Sequence, residues 1–214
     1  MNRQPNFNRL ARCYRWMEQV TFGKALGRCR CAFLDDTLDS GAALALGDGD
    51  GRFTARLLHA NPTIRVDAVD LSDAMLRQLL HNAGAPRDRV QTHCADLRAW
   101  RPERSDYDLI VTHFVLDCLT TAEVAALAQR LHACSAPEAK WLISEFSAPD
   151  GWFGALIARP LIFGLYLGFR ILTGLRIARL PEHRAALRQA GFVLREEKAH
   201  LRGLLVSELW RRAV

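Results

Sequence analysis

The sequence predicts an α/β protein: a doubly wound seven-stranded sheet, mostly parallel, with one antiparallel strand from a C-terminal hairpin and a helical cover at the N-terminus. Three observations predict it. The apolar run AALAL at 42–46 breaks into Gly47-Asp48-Gly49-Asp50-Gly51, then a helical pattern, then a second apolar run that ends in Asp70. From there to residue 145, β-like and helical patterns alternate, which implies a parallel sheet wound on both faces. The last two β-like runs are separated only by HLRG at 200–203, too short for a parallel crossover, so they must form an antiparallel hairpin.

In chain order, residues 6–34 read as helical, with Leu10, Tyr14, Met17 and Val20 or Thr21 recurring every three to four residues. Gly23 suggests a break and a second helix over 24–34. DDTLDSG at 35–41 is a polar connector. Strands are expected at 42–46, 65–70, 89–93, 107–112 and 139–145, with helices at 51–59, 72–83 and 120–133 between them. Thr120 and Glu123 form a capping-box signature at the start of the third of these helices. PEHRAALRQAGF at 181–192 reads as a helix stopped by Gly191, and strands follow at 192–199 and 204–211. The expected organisation is N-terminal helices over 1–40 that cover a site, then one main domain over 41–214 with an apolar helical insertion at 151–181.

At 214 residues the chain is long enough for one full core. Its net charge of +6 rests almost wholly on Arg, because Lys occurs only as Lys24, Lys140 and Lys198. The Arg are dispersed, with no aromatic-interleaved basic stripe, so nucleic-acid binding is not indicated. The six Cys form no CxxC pair and no metal spacing with His, so no metal is expected. Several sit inside apolar runs, where a free Cys is a small hydrophobe, which suits a reduced cytoplasm. The first 16 residues lack the apolar stretch of a signal peptide, and no uncharged run is long enough to span a membrane.

The strand–glycine loop–helix–strand unit at 42–70 is the layout of a nucleoside site. Gly47, Gly49 and Gly51 let the backbone turn tightly and approach a ligand without an intruding Cβ. The helix start offers unpaired N–H groups, and Asp70 is placed to accept from ribose hydroxyls. Asp48 and Asp50 inside the loop disfavour the phosphates of a dinucleotide.

Four further signals accompany the loop: Asp70, Asp96 in THCADLRAW, Tyr107-Asp108 opening YDLIVTHFVLDCL, and AGF before a terminal hairpin. Over about 40–212 the chain thereby resembles the class I S-adenosylmethionine-dependent methyltransferases, which implies a Rossmann-like fold and S-adenosyl-L-methionine as cofactor. On that resemblance the loop stands at the family's GxGxG motif and Asp70 at its ribose-binding acid. Asp96 stands at the acid that contacts the adenine amino group, and Leu71, Met75 and Leu97 at side chains that sandwich the adenine. The family's acid two residues before the first glycine is absent; Ala45 stands there, with Asp48 and Asp50 available to compensate. Asp108 opens a strand at the edge opposite the ligand and is expected to be structural.

Ligands in such sheets bind outside the carboxyl ends of the strands. Thr112, His113, Phe114 and Asp117 after the fourth strand therefore border the transferred methyl, with Thr112 on the cofactor. His113 is the titratable group expected to act as general base, and a helical turn there would let Asp117 pair with it. The insertion at 151–181 is intensely apolar, carries Arg159, Arg170, Arg176 and Arg179, and has no acid. Its Y.GFR..TGL....LP..R..L..AGF layout loosely resembles the ubiquinone/menaquinone-biosynthesis methyltransferases, which implies a lipophilic or aromatic acceptor under an apolar lid. Tyr14 with Trp16, and Tyr166, are expected on the acceptor side. An apolar segment with Arg also suits peripheral contact with a membrane surface through 151–180. Two other readings stay open at this point. One is a non-catalytic protein of this fold, for which Ala45 speaks. The other is an NAD(P)-dependent oxidoreductase, which an antiparallel last strand would exclude.

Overall fold

A computed structural model describes residues 23–164 and 181–213. Helix α1 (Ala25–Arg30) leads into a 3₁₀ turn (Asp35–Thr37) and strand β1 (Ala42–Leu46). There follow α2 (Arg52–Ala60), β2 (Arg65–Asp70), α3 (Asp73–Ala83), β3 (Val90–Cys94), β4 (Tyr107–His113), α4 (Thr121–Cys134) and β5 (Ser135–Phe146). A helical stretch at 152–164 contains one π-turn, Gly154–Ala158. The chain closes with α5 (His183–Gln189), β6 (Phe192–His200) and β7 (Leu205–Arg212). The sheet order is β3-β2-β1-β4-β5-β7-β6. Only β7 runs against its neighbours, pairing antiparallel with both β5 and β6.

The strand pattern explains the two layers. Every residue of β1 is buried, as expected of a central strand with helices on both faces. Leu44, Leu46, Ile110, Trp141, Ile143 and Trp210 point to one face and pack with Leu127, Leu131 and Leu187 of α4 and α5. Ala43, Ala45, Leu109, Val111, Leu142 and Leu209 point to the other and meet Phe53, Leu57 and Leu58 of α2 and Phe33 after α1. α1 lies over β5 and β7, where the carbonyl of Cys29 accepts from the hydroxyls of Ser144 (3.3 Å) and Ser207 (2.7 Å).

Helix starts follow the local sequence. Ser72 caps α3 by accepting from the N–H of Met75 at 3.3 Å. The capping box of α4 is present in both directions, Glu123 N–H to Thr120 Oγ1 and Thr120 N–H to Glu123 Oε2. Asp108 accepts the N–H groups of Gly41 (2.7 Å) and Ala42 (3.0 Å) and so ties down the start of β1, far from the carboxyl edge.

Two elements differ from expectation. The second helix ends at Arg30 instead of Leu34, because tight turns (Ala32 N–H to Cys29 O, Leu34 N–H to Cys31 O) swing Phe33 into the core. Burial of that ring outweighs continuation of the helix. β5 begins at Ser135 instead of residue 139, because Ser135 pairs with Tyr107 ahead of an irregularity at Glu138 (φ 61°), which Ala136-Pro137-Glu138 disguises as a turn. Tyr14, Trp16, Tyr166, Arg170, Arg176 and Arg179 lie outside the described residues.

Candidate cofactor and active site

The ends of β1, β2 and β3 place the glycine loop, Asp70 and Asp96 along one carboxyl edge of three adjacent strands. Gly47, Gly49 and Gly51 all have positive φ (65°, 59° and 73°), which L residues rarely adopt. Gly47 donates its N–H to Val69 O at 2.8 Å and ties the loop to β2. A Cβ on Gly47 would run into Val115, and one on Gly51 would lie 2.8 Å from Leu79 Cα. A Cβ on Gly49 would meet nothing within 4 Å, so the middle of the loop faces open space. The three glycines thus serve two purposes: close packing at the ends and an accessible backbone in the middle.

Asp70 accepts from Ser72 N–H at 2.8 Å and from the N–H of Gly49, which couples β2 to the loop. Burial pushes its carboxyl up to about 6, against the lowering effect of those hydrogen bonds. Met75 and Leu97 are buried and Leu71 half-buried along the same edge. Asp96 accepts from the backbone N–H of Arg98 at 2.9 Å, and Arg98 in turn reaches Glu123 at 2.7 Å. Within the loop Asp50 is engaged by Arg52 at 2.8 Å. Asp48 Oδ2 accepts from the N–H (2.9 Å) and hydroxyl (2.7 Å) of Thr54, while Oδ1 is enclosed without a partner. Burial raises the Asp48 carboxyl to about 6, with Thr54 and the Arg30 charge acting in the other direction.

Residues at the end of β4 and in the turn after it depart from their expected roles. Thr112 is fully buried and its hydroxyl accepts from Trp141 Nε1 at 2.9 Å, so its side chain sits in the core under the α4 face and not on the cofactor. His113 points to the opposite face, edge-on to the Phe53 ring at 4.6 Å, and is 4% exposed. Burial and the nearby Arg30 hold it well below the ordinary imidazole range, so it is neutral and shut away from an acceptor. The expected His113–Asp117 pair is not formed: both ring nitrogens of His113 lack a hydrogen-bond partner. The alternation of β4 is the reason. His113 follows Val111 onto the α2 face, whereas Asp117 sits in a 3₁₀ turn (Leu116–Cys118) whose Leu116 packs on the α4 face. Phe114 takes a left-handed φ of 56° and stacks near Phe146, at 5.2 Å between centroids.

Glu145 and Arg30 also belong here, and sequence reasoning passed over both. Glu145 Oε1 accepts from Val115 N–H (3.2 Å) and Leu116 N–H (2.9 Å), fixing the turn after β4. An acid that closes the apolar run KWLISEF is the same signal that marked Asp70. Arg30 lies over the Phe114 ring at 5.2 Å and is buried. Nothing in its sequence context separates it from the other arginines.

An open α/β sheet with a glycine-rich first loop, two acids on the next strand ends and a reversed last strand defines a nucleoside-binding class distinct from all-parallel dinucleotide folds. The antiparallel β7 removes the oxidoreductase reading. Residues 43–138 match the methyltransferase domain family. The chain is 32% identical over 144 residues to N-terminal Xaa-Pro-Lys N-methyltransferase 1 of Rattus norvegicus, covering 66% of this chain and 64% of that protein. It is 30% identical over 156 residues to the carboxy-S-adenosyl-L-methionine synthase of Geobacter metallireducens, covering 70% and 62%. The chain spans less than two thirds of these curated relatives. Among solved structures, the mitomycin 7-O-methyltransferase MmcR superposes with TM-score 0.72 at 16% identity (97% of this chain, 61% of that one). An S-adenosylmethionine-dependent methyltransferase of Mesorhizobium loti does so with 0.65 at 20% identity (84% and 95%). At those identities the structural likeness speaks for the fold alone. The domain matched over residues 43–138 and the fold around it are those of the class I S-adenosylmethionine-dependent methyltransferases, which supports S-adenosylmethionine as the cofactor. The open side of Gly49 and the enclosed, unpartnered Asp48 Oδ1 fit a cationic nucleoside of that kind.

Proposed function

We propose that the protein transfers the methyl group of S-adenosylmethionine to a small, lipophilic or aromatic acceptor. The cofactor supplies an electrophilic methyl on a sulfonium; the chain supplies position and surroundings. In this reading Gly47, Gly49 and Gly51 bring backbone to the cofactor, Asp70 accepts from the ribose and Asp96 from the adenine amino group. Leu71, Met75 and Leu97 flank the base, and Asp48 faces the charged end. Residues 1–40 with Tyr14, and the 151–181 insertion with Tyr166, cover the acceptor, which meets Phe114 and Asp117.

The observation that carries the acceptor class is the Phe114–Phe146 pair at the ends of β4 and β5, continued by Phe153 against the Phe146 and Leu204 cluster. Aromatic walls favour apolar and ring-bearing ligands. The turn after β4 is held by Glu145 and contains no exposed base, so alignment rather than proton removal would carry the rate. The test is formation of S-adenosylhomocysteine from S-adenosylmethionine with panels of phenols, quinols and aliphatic amines. Turnover with phenols or quinols alone supports this reading. Turnover confined to hydrophilic amines overturns the acceptor class, and tight cofactor binding without turnover on any panel favours the non-catalytic alternative.

A second reading concerns location. Trp152, Leu156, Ile157 and Phe163 on the 152–164 stretch are exposed, beside Arg159. No helix among the described residues is long and apolar enough to cross a membrane. An apolar face with cations and no acid suits an interfacial site on an anionic membrane, reached from the cytoplasm. Flotation with phosphatidylglycerol vesicles, but not phosphatidylcholine vesicles, is the expected result; absence from both would remove the idea.

A further inference from the structure

Asp48 Oδ1 and both ring nitrogens of His113 are enclosed and have no hydrogen-bond partner among the described residues. Buried polar atoms are almost always paired, so an orphaned group at a ligand-binding edge marks a missing partner. These orphans lie together. Thr54, which holds the other oxygen of Asp48, follows Phe53 in the chain, and Phe53 packs edge-on against His113. The charge of Arg30 acts on both Asp48 and His113, and its guanidinium stands over Phe114, the residue after His113. Ala45 lies on the same face of the sheet, with the register partner Val111 two residues below His113 on β4.

Beside this group is a cavity of about 490 Å³ between α1 and the start of α2. Its described lining includes Lys24, Arg28, Arg30, Arg52, Arg56 and Phe53, and no acid. A single ionised carboxylate, a neutral imidazole and a cationic wall together complement a zwitterion. We propose that the amino-acid end of S-adenosylmethionine is held here by residues of this chain's own choosing, Asp48 taking the ammonium and Arg30 with the His113 ring taking the carboxylate, in place of an acid at position 45. This rests on the cofactor assignment above. It gives His113 a role as a positioning residue for the cofactor in place of the acceptor-side base expected from its position in the sequence. Asp48 is suited to the ammonium because Thr54 immobilises Oδ2 and so points Oδ1 without a further cost in freedom.

Titration calorimetry with two probes tests it: S-adenosylhomocysteine, which carries the amino-acid end, and 5′-methylthioadenosine, which lacks it. The wild-type protein is expected to prefer S-adenosylhomocysteine by tenfold or more. Asp48→Asn keeps an acceptor oxygen for Thr54, His113→Phe keeps the ring contact with Phe53, and Arg30→Met keeps the apolar stem. Each is expected to weaken S-adenosylhomocysteine, by about tenfold for Asp48→Asn and Arg30→Met and less for His113→Phe, while 5′-methylthioadenosine shifts by less than twofold. Equal loss of both probes means general damage to the loop and overturns the proposal, as does an unchanged preference in all three variants. Circular dichroism and melting temperature identify a variant that fails to fold, and the remaining two then decide. A wild-type protein that binds neither probe would instead overturn the cofactor assignment.

Discussion

Glu145, the penultimate residue of β5, holds the turn after β4 by accepting the N–H of Leu116 at 2.9 Å, with the N–H of Val115 at 3.2 Å on the same oxygen. That turn carries Phe114 and Asp117, so one buried side chain sets the geometry of the side proposed for the acceptor. Removing it in Glu145→Ala leaves a buried N–H unpaired, which costs about 1–3 kcal/mol. Glu145→Gln keeps an acceptor oxygen and is expected to be far milder. Burial first, then the nearby Asp117, raises the Glu145 carboxyl well above its ordinary value. A group so raised favours folding below the unfolded value of about 4.5 and loses that contribution as pH rises through the folded value. Glu145→Gln should therefore gain on the wild type from pH 5 to pH 8 in urea denaturation. Equal destabilisation by Gln and Ala at both pH values would refute the account.

The loop glycines separate stability from affinity. Gly51→Ala forces both a left-handed backbone and a collision with the Leu79 backbone, so it should lower the melting temperature and abolish S-adenosylhomocysteine binding. Gly49→Ala meets no neighbour and carries only the backbone strain of about 1–2 kcal/mol. Its new methyl projects into the open side of the loop. A modest change in melting with a large loss of affinity is expected at Gly49, and melting curves beside calorimetry check it. A Gly49→Ala protein that binds like the wild type would place the cofactor elsewhere.

The parts legible in the sequence were those fixed by local rules. Alternating patterns set the strands and helices, the short HLRG spacer forced the antiparallel pair, and Thr120 with Glu123 announced a helix start that is present in both directions. What sequence reasoning missed depends on which face a residue takes at a strand end. His113 looked like an acceptor-side base because it stands at the end of β4, but the two-residue period of the strand turns it toward Phe53 and Arg30. Thr112 failed for the complementary reason, since its hydroxyl goes to Trp141. Arg30 was invisible because its role comes from a helix folding back over β5 and β7, a long-range contact that no spacing encodes.

At the opposite end of the sheet, Tyr107 donates its hydroxyl to Asp67 at 2.5 Å, inside the core. Tyr107→Phe removes the donor and leaves a buried carboxylate oxygen short of a partner. Hydrogen bonds to charged groups contribute about 1.5–3 kcal/mol, so a loss of that order is expected in denaturant unfolding. Because Tyr107 opens β4 and the candidate cofactor site lies at the other end of the strand, affinity for S-adenosylhomocysteine should stay within twofold of wild type. A variant with unchanged stability, or with affinity lost in proportion, would show that this pair does not act as a separate structural clamp.

Cofactor affinity and apo stability should run in opposite directions with pH. Burial raises both Asp48 and Asp70 to about 6 from the ordinary carboxylate value of 3.8. In the free protein, each contributes stability that is complete below 3.8 and lost as pH rises through about 6, because ionisation is then required in a dry site. Ligand binding needs the ionised forms, Asp70 to accept from the ribose and Asp48 to meet the ammonium. Lowering the pH from 7.5 to 5 should therefore weaken S-adenosylhomocysteine by about tenfold for each carboxylate that must give up its proton. The apo melting temperature should not fall in parallel from these two groups. In Asp70→Asn the affinity drops at neutral pH and about half of the logarithmic pH dependence remains, carried by Asp48. Dissociation constants that stay flat from pH 5 to 7.5 would mean that neither carboxylate touches the ligand, whereas a slope that vanishes in Asp48→Asn but persists in Asp70→Asn would assign the whole effect to the ammonium end.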